Sequence, residues 1–169
     1  MDISESLTRG LEEAIKNKIF PGCVLGVVVK SGESLILPFG RFTYEDGSNA
    51  VKEGTIYDVA SITKSIPTSC LALKAIDDEK LKLDDKLIDY VPEFSNNYRE
   101  DVKIFHLLTH TLTYPRDNTS LSDLKTSEEV RHVILTKDFD APPGVLCMYN
   151  NRTSFLLGLV VERIYGKTI

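Results

Sequence analysis

The run Cys23-Val24-Leu25-Gly26-Val27-Val28-Val29 sets the tightest bound on the fold of this 169-residue chain. A continuous, valine-rich apolar segment of this length reads as a strand covered on both faces. Lys30-Ser31-Gly32-Glu33 reads as a turn, and Ser34-Leu35-Ile36-Leu37-Pro38-Phe39 as a second strand, so the two form a hairpin. Pro38 has no N–H to give to a ladder, which implies an edge position or a bulge. No later stretch reads as a strand. A sheet of two strands is marginal by itself and leaves its edges and apolar faces open. The pattern therefore predicts an incomplete α+β domain: a largely helical subdomain beside a partial antiparallel sheet whose C-terminal strands are missing.

The remainder is helical or irregular. Residues 2–18 carry Ile3, Leu7, Leu11, Ala14 and Ile15 at helical spacing, with Asp2 and Glu5 placed as a capping box. Residues 40–54 are polar and read as loop. The segment after residue 61 is apolar on nearly every side, through Ile62, Ile66, Cys70, Leu71, Leu73, Ala75 and Ile76, which predicts a central, buried helix. Pro67 removes a bond to the Thr63 carbonyl and should kink it. Shorter helices are expected over residues 102–110 and 127–135. A last helix is expected over 154–164 and ends at Gly166. The expected organisation is helix plus hairpin over 1–60, a mainly helical part over 61–151, and a helix over 152–169 that returns toward the sheet.

Composition excludes several function classes. Twenty basic against 25 acidic residues give a net charge of -5, with no basic run, which argues against nucleic-acid binding. No apolar run is long enough to span a membrane, and no secretory leader is read at the start. Cys23, Cys70 and Cys147 are odd in number and set among apolar residues, so they read as reduced core cysteines. Together these features point to the cytoplasm.

The chemistry concentrates at Val59-Ala60-Ser61-Ile62-Thr63-Lys64. A serine hydroxyl is a weak nucleophile at neutral pH and needs a proton acceptor beside it. Ser61 and Lys64, three apart, share one face of a helical turn and can meet. A desolvated lysine can take that proton, and the N–H groups at a helix start favour developing negative charge. The pattern alone is common: Ser122-Asp123-Leu124-Lys125 repeats it in a polar loop. The plainer alternative for Ser61 is a helix-capping serine with a solvated lysine. His106 and His110, four apart, could face a metal together, but no third ligand completes a site, so no metal and no cofactor is expected. Gly166-Lys167-Thr168 lacks the earlier glycine of a phosphate loop, since position 161 is valine.

Several motifs, in order, resemble the serine beta-lactamase-like superfamily, which includes class C beta-lactamases, family VIII esterases, D-aminopeptidases and penicillin-binding DD-peptidases. Tyr57-Asp58-Val59-Ala60-Ser61-Ile62-Thr63-Lys64 looks like its first motif. Asp84-Asp85-Lys86-Leu87 and Tyr90-Val91-Pro92-Glu93-Phe94 resemble the segment that follows. Ile104-Phe105-His106-Leu107-Leu108-Thr109-His110-Thr111 is similar to the family's I-R-H-L-L-T-H-T. Pro143-Gly144 followed by Tyr149-Asn150-Asn151 looks like its second motif. The resemblance implies that Ser61 is the acylated nucleophile and Lys64 accepts or relays its proton. It implies that Tyr149 is a second general base, with its phenol shifted toward phenolate by lysine charge, and that Asn151 binds the acyl side of a small-molecule or peptide substrate. The backbone N–H of Ser61 would be half of an oxyanion hole. Leu112 and Thr113 stand where the family shows Ser-Gly, so the loop after His110 should take another path. The third motif, Lys-Thr-Gly or His-x-Gly on a later strand, is absent. The implied function is a serine hydrolase acting through an acyl-enzyme on an ester, amide or beta-lactam carbonyl, incomplete in this chain. The alternative is a non-catalytic truncated or degenerate scaffold that binds a ligand or partner.

Overall fold

The computed structural model describes residues 3–115 and 121–168. It divides into two compact units, at residues 1–58 and 59–169.

In the first unit, helix α1 spans Ile3–Lys16, and Lys18 stops it by taking a φ of 58°. The Asp2 half of the expected capping box lies outside the described residues. Strands β1 (Gly22–Val28) and β2 (Ser34–Gly40) pair antiparallel, with Leu25 opposite Leu37 and Val24 opposite Pro38. The hairpin is as the sequence predicts. Gly40 has a φ of 70° and packs against the backbone of Pro21 and Gly22, which leaves no room for a Cβ. The expected double cover of β1 is not seen: Val28 is 77% exposed. Continuous apolarity signals two faces able to be buried, and among the described residues the only strand beside β1 is β2.

In the second unit, a wide turn of π-helix runs over Lys64–Ser69 and leads into α2, Cys70–Asp77. Short helices α3 (Leu87–Tyr90) and α4 (Ile104–Leu108) follow, then α5 (Ser127–Thr136) and α6 (Asn151–Tyr165). The core gathers Leu87, Val91, Phe94, Ile104, Leu107, Leu112, Ile134, Leu156 and Val160, all buried to 1% exposure or less. Phe139 closes it, edge-on to Tyr114 at 4.9 Å between ring centres. The loop after His110 turns inward, burying Leu112, Thr113 and Tyr114.

Helix starts follow their caps. Thr126, one residue ahead of the expected Ser127, opens α5: its side chain accepts from Glu129 N at 3.1 Å, and the Glu129 carboxylate accepts from Thr126 N. Asn150 opens α6 three residues early, accepting from Thr153 N at 2.8 Å.

Two further expectations are corrected. The segment from Ile62 through α2 is not a buried central helix: Ile62, Ile66 and Leu73 are each more than half exposed, and its buried side is Thr68, Ala72 and Ala75. Small residues let it lie close to α6, and apolarity on every side does not choose a face. The cysteines are free, as expected, but not core residues: Cys70 and Cys147 are exposed and Cys23 is half-buried.

Candidate active site

Pro67 shapes the segment that carries the nucleophile. Ile66, the residue before it, leaves helical geometry with φ -94° and ψ 25°. The wide i→i−5 bonding of this turn is reinforced by side chains: Thr68 Oγ1 donates to Thr63 O at 3.2 Å, and Ser69 Oγ to Lys64 O at 2.8 Å. Ahead of the kink, Lys64 N donates to Ser61 O at 3.1 Å and Thr63 N to Ala60 O at 3.2 Å, closing tight turns. Ala60 enters with a φ of 43°, a conformation an alanine rarely adopts and one found at sites that store strain.

This turn sets Lys64 Nζ 3.0 Å from Ser61 Oγ, to which it donates. The Tyr149 hydroxyl donates to the same oxygen at 2.7 Å. The Lys64 ammonium also lies 5.3 Å from the centre of the Tyr149 ring. The hydrogen bond with Ser61, then the bonding and charge of Lys64, hold the Tyr149 phenol below its usual range. Tyr90 and Tyr114 move the other way. Burial, with a hydrogen bond to Asp85, pushes Tyr90 up to about 12, and burial raises Tyr114. Asn151 begins α6 and lines a groove of about 510 Å³ with Thr63, Lys64, Thr68, Phe155 and Leu159. The structure thus joins Ser61, Lys64 and Tyr149 by hydrogen bonds and sets Asn151 on the wall beside Lys64.

Tyr149 is held from the other side of the sequence. Met148 N donates to His110 O at 2.8 Å, Gly144 N to Thr111 O at 2.9 Å, and Cys147 Sγ to Thr109 O at 3.4 Å. The Asn150 amide donates to Met148 O at 2.9 Å. The His110 ring packs on the Tyr149 ring, 5.0 Å between centres. His106 Nδ1 accepts from Lys103 N at 3.0 Å and so caps α4. Its ring borders Gly144, which has a φ of 91°. Among the described residues no three His, Cys, Asp or Glu side chains gather as a metal site. The second Ser-x-x-Lys starts in a short 3₁₀ turn, Leu121–Asp123.

The beta-lactamase family model matches residues 8–169. The chain belongs to the beta-lactamase family. It is 31% identical to "Protein flp" of Staphylococcus aureus (strain NCTC 8325 / PS 47) over 173 aligned residues, covering 96% of this chain and 34% of that protein. Among solved structures it resembles a class C beta-lactamase in complex with cefoxitin, with a TM-score of 0.82, 23% identity, and coverage of 98% of this chain and 46% of that one. It also resembles EstCE1, a hydrolase with promiscuous acyltransferase activity, with a TM-score of 0.79, 24% identity, and coverage of 98% and 48%. This family member therefore has the beta-lactamase/transpeptidase-like fold and spans about a third of that curated relative and about half of those solved structures.

The sequence reading missed what holds Tyr149. His110 was legible only as a motif position and a discarded metal ligand. Its contact with Tyr149 depends on the loop pairing above, which leaves no periodic signal. The side-chain caps by Thr68 and Ser69 were missed as well, although a hydroxyl residue just after a mid-helix proline is a usable sign.

Proposed function

We propose that this chain carries the nucleophilic site of a serine hydrolase that works through an acyl-enzyme. The observation that carries the reading is the convergence of Lys64 Nζ and the Tyr149 hydroxyl on Ser61 Oγ. In this mechanism Tyr149 reacts as the phenolate, which Lys64 stabilises. Ser61 then donates its hydrogen bond to the phenolate instead of receiving one. As Ser61 Oγ attacks a carbonyl carbon, its proton passes to Tyr149. The carbonyl π pair moves onto oxygen, and the Ser61 N–H donates to it. Collapse breaks the bond to the leaving group, which takes the proton from Tyr149. A water then repeats the sequence at the acyl carbon, releasing the acid and restoring Ser61. Asn151 binds the acyl side from the wall of the groove.

The substrate class is an ester, amide or beta-lactam. The names of the similar structures span a beta-lactamase and a hydrolase with acyltransferase activity, and transfer of an acyl group to serine accounts for both chemistries. A second reading, a scaffold that binds a ligand or partner without turnover, draws on one observation. Ser61 is exposed and Tyr149 is 61% exposed, so water competes for the bonds that activate the nucleophile.

Intact mass after incubation with a serine-reactive phosphonate separates the two. The catalytic reading expects one adduct on the parent chain and none on Ser61→Ala. An unmodified parent overturns it for this chain.

A further inference from the structure

His110 concentrates costs that packing alone does not call for. Its φ of 53° puts a non-glycine residue in the left-handed region. Its Nδ1 is buried without a hydrogen-bond partner, a cost for any polar atom taken from water. A strained backbone and an orphaned polar atom at one residue persist where the surroundings over-determine them, and such places gather at functional sites. What the two costs accompany is the contact with Tyr149: ring centres 5.0 Å apart, planes inclined by 46°. The same residue's carbonyl holds the neighbouring peptide through Met148 N.

We propose that His110 is the positioning residue for Tyr149, its ring fixing the phenol's orientation so that the hydroxyl meets Ser61 Oγ. The ring does this as an aromatic surface and not as a hydrogen-bonding group. Two ionisable groups face Tyr149 in different roles: Lys64 supplies charge and His110 supplies shape. Burial, and then the Lys64 charge, hold the imidazole below its ordinary pKa and so neutral near pH 7. A neutral ring adds no second cation beside Lys64. The inference rests on the proposed roles of Tyr149 and Ser61, and it predicts that a hydrocarbon ring can replace the imidazole.

The test uses His110→Gly, His110→Phe and Tyr149→Phe. Glycine accepts the positive φ and deletes the ring; His110→Asn serves as a second deletion that also tolerates this conformation, should the glycine variant unfold. Phenylalanine keeps the ring and removes Nδ1. Two quantities are read: the rate of phosphonate labelling of Ser61, and the Tyr149 titration as tyrosinate absorbance relative to Tyr149→Phe. In His110→Gly the labelling rate should fall about a hundredfold, the loss typical of an ångström of misplacement. The Tyr149 pKa should climb toward its ordinary value of 10. In His110→Phe both should stay near the parent. The proposal is overturned if the ring deletion leaves the titration unchanged, or if His110→Phe loses as much as His110→Gly. A parent chain that takes no label sinks the catalytic reading, and the titration then decides this inference alone.

Discussion

The Tyr149 hydroxyl stands 2.7 Å from Ser61 Oγ, across 88 positions of sequence. Lys64 reaches the same oxygen from within its own turn at 3.0 Å. One partner is set by local geometry and the other by tertiary packing, so they answer differently to substitution.

Lys64→Met removes the cation that stabilises the Tyr149 phenolate. The Tyr149 pKa is lowered in the parent, so losing the charge must raise it. The labelling rate of Ser61, which should rise with pH as Tyr149 deprotonates, will make that rise at higher pH in the variant. At pH 7 it should fall about 10²–10⁴-fold. Tyr149→Phe should abolish the rise. Coincident pH profiles for parent and Lys64→Met would remove Lys64 from this role.

Stability should decline in mild acid. Burial, joined by charge from Lys103 and Lys64 respectively, lowers the pKa of His106 and His110 from 6.5. The unfolded chain therefore takes up protons near pH 6.5 while the folded chain still resists them. The histidine contribution is whole above that pH and is lost as pH falls below it, down to the folded pKa values. Urea midpoints at pH 7.5 and 5.0 measure this. The double variant His106→Asn/His110→Phe should flatten the slope between them, and a parent already flat would refute the assignment.

Thr68→Val keeps the shape of the side chain and removes the hydroxyl that bonds Thr63 O. Thr68 is 6% exposed, so little water is at hand to replace that donor. Losing this second, buried bond to the carbonyl should cost about 0.5–1.5 kcal/mol, read as a Tm lowered by a few degrees. An unchanged Tm would mean that the backbone bonding of the π-turn holds the kinked segment without the hydroxyl.

Asn150→Ala deletes the cap of α6, which receives both Thr153 N and Thr153 Oγ1 at 2.8 Å. Loss of a helix cap costs about 0.5–2 kcal/mol. The same side chain ties Met148 O, so the variant should also slow labelling of Ser61. Thermal melting and labelling, taken on one preparation, check both parts. A lowered Tm with full labelling would confine Asn150 to the helix.

The elements that repeat or alternate were the legible ones. The hairpin showed in the valine run and its turn, and α6 in an apolar stretch ended by Gly166. The nucleophile turn was legible because Ser61 and Lys64 lie three apart, and the kink because Pro67 cannot donate. Burial was harder to read. Apolarity around Ile62, Ile66 and Leu73 announced a helix with no solvent face, yet these side chains stand exposed. Residue type records what can be buried, while cover is supplied by neighbours. The pairing of residues 110–113 with 140–148 uses backbone groups common to every residue, so no pattern in the chain marked it.

The broken geometry at Ile66 also has a mechanical consequence. The α-helical ladder between the Ser61 turn and α2 gives way around Pro67 to the wider i→i−5 bonds of the π-turn, which the hydroxyls of Thr68 and Ser69 supplement. Bending of α2 can be absorbed at that joint, so the separation of the Ser61 hydroxyl and the Lys64 ammonium is insulated from strain in the longer helix.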